Sequence, residues 1–295
     1  VLHFLKGLQI CSTFKAMLPV ATTIQSKGRL LNLSQPVVMG ILNATPNSFY
    51  NKGQASEPLP LLSSAEIMLK QGAAILDIGG ASTKPGEPLI DPATEAERIL
   101  PAIELIHHHF PEAWISVDTY NASVAAQAVA AGADIVNDVS GGQIDGAMLS
   151  TVAGLKVPYI AMHMQGVPET MQADPRYTNV VTEVREYLRD ISNECSAAGI
   201  VDLIVDPGFG FGKTLEHNYS LLRALHTFSV LGRPLLIGLS RKSMVCKALR
   251  VDPAHALNGT TALNMFALLQ GCNILRVHDV KEAIEVIKLA EWVSV

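Results

Sequence analysis

The stretch Asp202-Leu-Ile-Val-Asp206-Pro-Gly-Phe-Gly-Phe-Gly-Lys213 holds in miniature the unit from which the chain is built. Leu203 to Val205 is a short apolar, partly β-branched run and reads as a buried strand. It stops at an ionisable residue, Asp206, and then at Pro207, which has no N–H for a sheet ladder. Glycines 208, 210 and 212 follow, with Phe209 and Phe211 between them and Lys213 at the end. Such a loop brings backbone and aromatic faces close to a flat ligand while the carboxylate stays fixed at the strand tip. Taken alone, the stretch reads better as a glycine-rich turn in which Asp206 caps the next helix. Recurrence of the pattern is what changes that reading.

Working outward, the same apolar run ending in a polar residue appears at Val37-Val-Met-Gly-Ile-Leu42, Ala74-Ile-Leu-Asp77-Ile-Gly79, Trp114-Ile-Ser-Val-Asp118, Asp134-Ile-Val-Asn137, Pro158-Tyr-Ile-Ala-Met-His163, Pro234-Leu-Leu-Ile-Gly-Leu239 and Asn273-Ile-Leu-Arg-Val277. Between the runs lie helical patterns at about 60–72, 92–109, 122–131, 175–198, 216–228 and 254–269, with a last helix over 280–292. Parallel strands buried on both faces read as continuous apolar runs, and eight of them alternating with helices predict an α/β fold of the (β/α)8 TIM-barrel type. A doubly wound open sheet is the alternative. Against it, no Gly-x-Gly-x-x-Gly follows the first strand, and the count of eight fits closure. Thr22 to Leu33 reads as an N-terminal β-hairpin turning at Lys27-Gly28. No linker or composition shift divides the chain, so residues 22–295 are expected to form one domain behind an N-terminal extension, residues 1–21.

Of 295 residues, 48% are apolar and 17% charged, which describes a globular protein with a large core. A formal charge of −5 without a basic stripe argues against nucleic acid as a partner. No apolar run is long enough to span a bilayer, so no membrane role is expected. The four cysteines are widely separated and have no metal-ligand spacing, as in a reducing compartment. Residues 1–20 contain Lys6 and Lys15 but no arginine, a poor match to a transit segment, so a cytoplasmic protein is the expectation. No zinc site, Ser/His/Asp triad or phosphate-binding Gly-x-x-x-x-Gly-Lys-Ser/Thr loop is present.

The strand ends offer, in order, Asn43, Asp77, Asp118, Asn137, His163, Asp206, Lys242 and His278. In a barrel these converge on one face. A single Asp after a strand is more often a helix cap, and Asp77 reads as structural. Asp118, Asn137, Asp206 and Lys242 together suit the edge of a nitrogen heterocycle: carboxylates and an amide meet ring N–H groups, and a lysine meets an exocyclic oxygen. A buried Asp206–Lys242 ion pair is the plainer account of two of them. Arg276 and His278, two apart on one strand, share a side, and with Ser240-Arg241-Lys242 and Ser82-Thr83 they suit a phosphorylated group. Asn43 is a possible ligand for Mg²⁺, a hard cation that takes amide oxygen. His278 serves equally as a hydrogen-bonded surface histidine, and His163, between methionines, reads as a packed core residue.

The motifs Met39-Gly-Ile-Leu-Asn-Ala-Thr-Pro-Asn-Ser-Phe49, Asp77-Ile-Gly-Gly-Ala-Ser-Thr-Lys-Pro-Gly86, Ser116-Val-Asp-Thr119, Asn137-Asp138, Met162-His-Met-Gln-Gly166, Asp206 to Lys213, Gly238-Leu-Ser-Arg-Lys-Ser243 and Arg276-Val-His-Asp279 resemble, in this order, those of the dihydropteroate synthases. The resemblance covers about residues 22–293. It implies a (β/α)8 enzyme of folate biosynthesis, usually a homodimer, that joins 6-hydroxymethyl-7,8-dihydropterin pyrophosphate to p-aminobenzoate. The products are 7,8-dihydropteroate and pyrophosphate. By the same resemblance Asp118, Asn137, Asp206 and Lys242 hold the pterin, and Asn43, Arg276 and His278 hold pyrophosphate, with Mg²⁺ at Asn43. Asp118, Asp206, Lys242, Arg276 and His278 are the implied catalytic set. Phe49, Thr83, Pro85, Phe211 and Arg241 frame the p-aminobenzoate pocket, which also implies sulfonamide sensitivity.

The chain departs from the family pattern in its first loop, where Asn47 and Asn51 stand for the usual aspartates and Lys52 for a glycine. Lys84 replaces an arginine and Ala81 a glutamate. An active enzyme is still expected. A pterin-binding paralogue without activity and a methyltetrahydrofolate-type methyltransferase domain are the alternatives, the first motivated by the two asparagines.

Overall fold

The structure, a computed structural model, describes residues 20–44, 60–80 and 88–293. The chain opens with a hairpin, β1 (Thr23–Ser26) and β2 (Arg29–Asn32), in which Thr23 faces Asn32 and Ser26 faces Arg29. Lys27 and Gly28, with φ of 50° and 79°, form the turn where it was expected. Positive φ at both central residues gives the turn the twist that a two-residue hairpin needs. Most of the expected extension, residues 1–19, lies outside the described residues.

Eight parallel strands follow: β3 (Val37–Asn43), β4 (Ile75–Gly79), β5 (Trp114–Asp118), β6 (Ile135–Asp138), β7 (Tyr159–Met162), β8 (Leu203–Asp206), β9 (Leu236–Ile237) and β10 (Ile274–Val277). They pair in the order β8-β7-β6-β5-β4-β3-β10-β9. A parallel bridge between Val205 and Leu235, with the Val205 N–H donating to the Pro234 carbonyl at 3.0 Å, joins the two outer strands and closes the barrel. The sheet therefore has no free edge, as the count of eight predicted.

Around it lie α1 (Pro60–Gln71), α2 (Pro92–His109), α3 (Ala122–Ala131), α4 (Met148–Leu155), α5 (Val180–Ala198), α6 (Leu215–Arg223), α7 (Ser243–Leu249), α8 (Leu257–Leu269) and α9 (Val280–Val293). Their starts follow from local chemistry. Asp91 caps α2 by accepting from the N–H groups of Ala93 and Thr94, each at 3.1 Å, with Pro92 at the first helical position. Asn179 caps α5 in the same way, and the Glu183 side chain accepts from the Asn179 N–H at 2.7 Å.

Three helical expectations need correction. Helix α4 was not expected at all. It starts at Ala147 without a side-chain cap and ends at Lys156 in a left-handed conformation, so it carries neither usual punctuation mark. The expected helix at 216–228 is α6 followed by a 3-10 segment, Leu225–Leu231. The expected region 254–269 is preceded by the separate helix α7 and a 3-10 turn at Pro253–His255, because Asp252 caps the turn and α8 begins only at Leu257.

The hairpin closes the amino-terminal end of the barrel. Ile24 and Leu33 pack with Met39, Ile75, Trp114, Ile135, Ile160, Ile204, Leu236 and Ile274, one from each barrel strand, in an apolar plug. Burying a side chain such as Leu33 contributes about 1.5–3 kcal/mol. Arg29 pins the hairpin by donating to Asp134 at 2.7 Å and lying 5.1 Å from the Trp114 ring centre.

Candidate active site

The plug fixes which side chains reach the other end. Alternate residues of a strand face the same side, so two steps above Ile75, Trp114, Ile135, Ile204 and Ile274 stand Asp77, Ser116, Asn137, Asp206 and Arg276. Two steps further come Gly79, Asp118 and His278, with Asn43 at the end of β3 on the phase of Met39. The interior thus changes within one layer from wholly apolar to densely polar.

Arg276 is the hub of this layer. Its Nε donates to Asp77 and its Nη2 to Asp118, each at 2.6 Å. Asp77, fully buried, also accepts from the Asn137 side-chain NH2 at 3.1 and 3.3 Å. That contact turns the amide so that its oxygen is left to accept from another group. Asp206 accepts from the Gly208 N–H at 2.7 Å. Lys242 donates to the Phe209 carbonyl and lies 4.9 Å from the centre of the Phe211 ring. No ion pair joins Asp206 to Lys242, so the plainer account of those two residues fails. Gly238, the residue after β9, lies beside the Lys242 ammonium and Arg276, where a Cβ would approach Nζ to 3.7 Å. Ser240 accepts from the His278 backbone N–H at 3.2 Å, and its hydroxyl oxygen lies 3.0 Å from Nδ1 of the same ring.

Burial pushes the Asp118 carboxyl up to about 7; Arg276 opposes the shift, and the negative charges of Asp77 and Glu95 add to it. Burial likewise raises Asp206 against the pull of Lys242. Lys242 is brought down to about 8 by burial, with Asp206 opposing. His278 falls below the usual histidine range through burial and the neighbouring Arg276 charge, so near neutral pH it offers a ring N–H rather than a full charge. Burial alone would lower Arg276, but Asp77 and Asp118 outweigh it and hold the guanidinium charged. Groups pushed in opposite directions within one cleft are a mark of functional sites.

Of the residues singled out in the sequence, Asp118, Asn137, Asp206, Lys242, Arg276 and His278 are brought together, and Asn43 is exposed at the same mouth. Phe211 is partly buried against Met162, Met164 and Met171. Phe209 instead is fully buried in the outer core, so only one of the two loop phenylalanines offers a ring to a ligand. The Arg241 guanidinium is held by Asp279 at 2.7 and 2.9 Å and by the Pro253 carbonyl at 3.1 Å, so its charge is already matched. Phe49, Thr83 and Pro85, with Asn47, Asn51, Ser82 and Lys84, lie outside the described residues. His163 is buried, as expected of a packed residue.

Asp77, which the sequence reading took as structural, is fully buried and holds Arg276 and Asn137 in place, and those partners were not legible in the sequence. Only its phase was: Asp77 lies two residues above the plug residue Ile75, as Arg276 lies above Ile274. Among the described residues, no cluster of three or more His, Cys, Asp or Glu side chains makes a metal site. A cation held by one neutral amide oxygen at Asn43, with its remaining ligands from phosphate oxygens and water, is compatible with that donor set.

Known proteins give this layer a family. Residues 39–278 match the pattern described as pterin binding enzyme. The chain belongs to the pterin-binding enzyme family. It is 44% identical over 268 residues to the dihydropteroate synthase of Escherichia coli, covering 90% of this chain and 94% of that protein. The Yersinia pestis dihydropteroate synthase solved with a sulfonamide drug superposes with a TM-score of 0.85 at 41% identity, covering 92% of this chain and 98% of that one. The Xanthomonas albilineans dihydropteroate synthase solved with 4-aminobenzoic acid gives 0.84 at 36% identity, covering 93% and 98%.

Proposed function

We infer that this chain is a transferase of folate biosynthesis that condenses 6-hydroxymethyl-7,8-dihydropterin pyrophosphate with p-aminobenzoate to give 7,8-dihydropteroate and pyrophosphate. The observation that carries the reading, beside family membership, is the polar layer itself. Three acceptors (Asp118, Asn137 and Asp206) and one half-buried ammonium (Lys242) share the strand-end layer with Arg276 and His278. The acceptors suit the amino and ring N–H groups along a pterin edge, and Lys242 suits its carbonyl oxygen. The Phe211 ring and the Lys242 stem supply an apolar face for a flat bicycle.

The bond that breaks joins the pterin methylene carbon to a pyrophosphate oxygen. Arg276 and the His278 N–H meet the negative charge that grows on the departing group. The positive charge left on the methylene spreads into the pterin ring, where the Asp118 and Asp206 carboxylates stabilise it. The p-aminobenzoate nitrogen then forms the new carbon–nitrogen bond and loses a proton to solvent. The protein's share is placement and electrostatics, with no covalent intermediate. Asn43 would offer an amide oxygen to a Mg²⁺ arriving with the pyrophosphate, and the ion would supply Lewis-acid neutralisation of the leaving group.

Phe49, Thr83, Pro85, Phe211 and Arg241 are proposed to frame the p-aminobenzoate side. A carboxylate arriving at Arg241 would share the guanidinium with Asp279. The exposed apolar residues Leu249, Phe266 and Leu269 on α7 and α8 suit a face covered in a homodimer. Residues 22–295 are proposed to act as one domain, in the cytoplasm. Among the described residues, no helix is long and apolar enough to cross a membrane.

The test is pyrophosphate release from the purified protein with the pterin pyrophosphate and Mg²⁺, with and without p-aminobenzoate, and then with a sulfonamide added. Release that tracks dihydropteroate formation and falls with the sulfonamide is expected. Pterin binding without any product would mean that Asn47 and Asn51 have silenced the first loop, and would overturn the enzymatic reading.

A further inference from the structure

One buried lysine stands outside the polar layer, next to the loop that borders it. Lys213, the last residue of the glycine loop after β8, is only 3% exposed, and of the proposed substrate-binding residues it bonds only the Phe211 backbone. Its Nζ donates to the carbonyls of Gly208 at 2.9 Å and Phe211 at 3.0 Å, and lies 2.9 Å from His163 Nδ1 and 3.3 Å from the His163 carbonyl. One buried cation therefore ties both ends of the loop to each other and to the end of β7.

The loop is built around that knot. Gly208 and Gly212 have φ of 69° and 62°, and a Cβ on either would collide with the backbone carbonyl of His163 or Gln165 across the gap. Two backbones packed this closely present carbonyl oxygens to one point, and such a point needs a donor. The loop so held is the one that supplies the Phe209 carbonyl to Lys242 and the Phe211 ring beside it. Asp206, whose carboxylate accepts from the Gly208 N–H, sits at its root.

We propose that Lys213 is a positioning residue for pterin binding: paired with a neutral His163, it holds the Gly208–Gly212 loop in the shape that places Lys242, Phe211 and Asp206. Burial pulls the Lys213 amine well below the usual lysine range and Asp206 opposes the shift, but three carbonyls around Nζ call for a full set of donors, so His163 Nδ1 accepts and the ring proton sits on Nε2. Burial and the adjacent Lys213 push His163 down to about 2, which keeps the ring neutral. The Tyr187 ring, edge-on to His163 at 4.9 Å, and Tyr177, at 6.1 Å, enclose the pair. The energetic logic is that a buried donor with several acceptors is worth most when all are present, and losing it leaves those carbonyls unmatched.

The inference rests on the pterin reading of the site, and the experiment separates the two. Lys213→Met keeps the stem and removes the donor. In the full-length enzyme its KM for the pterin pyrophosphate should rise about tenfold, about 1.4 kcal/mol, with a smaller rise in the KM for p-aminobenzoate, whose pocket shares Phe211 alone with this loop. The high-pH limb of the pterin kcat/KM profile should also move upward. Lys242, which faces Asp206, Arg276, Asp118, His278 and Lys213, becomes more hydrated once the loop loosens. His163→Asn, which keeps an acceptor, should behave closer to the parent than His163→Leu. A wild-type protein that releases no pyrophosphate would defeat the pterin reading itself. An active wild type whose Lys213→Met variant keeps its pterin KM and pH limb, or raises both KM values equally, would overturn the positioning role alone. If Lys213→Met does not fold, ¹⁵N spectra of the wild-type imidazoles decide. A His163 proton on Nε2 that does not titrate down to about pH 4 is expected, and a ring that titrates near 6.5 would overturn the proposal.

Discussion

The two ends of this barrel are made from the same eight strands and have opposite compositions. At the amino-terminal end, Ile24 and Leu33 of the hairpin segment meet Met39, Ile75, Trp114, Ile135, Ile160, Ile204, Leu236 and Ile274 in a plug that holds no charged side chain. At the carboxyl-terminal end, Asp77, Asp118, Asn137, Asp206, Lys242 and Arg276 crowd into the same cross-section. Burial there works against the charged state of both Asp118 and Lys242. One end stabilises the fold; the other spends part of that stability on holding charges out of water. The hairpin is what permits this division, because it keeps solvent from the floor on which the polar layer stands.

Breaking the plug should give the largest effect. Leu33→Ala removes a side chain that is 1% exposed and should lower unfolding free energy by about 2–5 kcal/mol. Denaturant unfolding measures that loss, while KM for both substrates at 25 °C should stay within about twofold. Altered substrate KM values would mean that the two ends are not independent.

The opposite substitution sharpens the comparison. Asp206→Asn keeps an acceptor for the Gly208 N–H but gives up the charge. Losing a hydrogen bond to a charged group costs about 1.5–3 kcal/mol, so pterin kcat/KM should fall on the order of 100-fold. Stability should stay within about 1 kcal/mol. Burial raises this carboxyl above its unfolded value, so its ionised form costs stability as pH rises past the ordinary carboxylate range. Removing the charge relieves that cost and offsets the lost attraction to Lys242. A variant that unfolds as readily as Leu33→Ala would show that Asp206 belongs to the scaffold.

The smallest effect is a pH dependence confined to the polar end. If Asp118 acts as a carboxylate, pterin kcat/KM should rise as pH passes about 7; if Lys242 acts as an ammonium, it should fall as pH passes about 8. These limbs belong to the coupled site rather than to either residue alone. A profile flat from about pH 6 to 9 would remove both groups from the titrating machinery.

Much of this arrangement is legible in the sequence because strand periodicity carries it. Eight apolar runs that end in polar residues give the barrel, the turn at Lys27-Gly28 gives the hairpin, and the strand ends give most of the polar layer. Helix α4 stayed hidden because Met148-Leu-Ser-Thr-Val-Ala-Gly-Leu155 mixes β-branched residues and a glycine with no capping side chain, so neither propensity nor punctuation marks it. The partners of Asp77 stayed hidden for a different reason. Its role comes from two partners, Arg276 and Asn137, that lie 199 and 60 residues away, and local spacing holds no record of them. Phe209 and Phe211 look equivalent in the chain, yet the loop's left-handed glycines send one into the core and leave the other beside Lys242.

The sequence by itself determined the alternation: which residues face inward, how many strands there are, and which polar groups sit at their ends, because side-chain direction in a strand depends only on parity. Only the tertiary structure decided the pairings. Barrel closure brings β10 against β3 and so carries Arg276 to Asp77 and Asp118. The packing of the β7 loop against the β8 loop buries Lys213 against His163. Pairing energies depend on distance and dielectric, which chain order does not encode and which the closed barrel supplies.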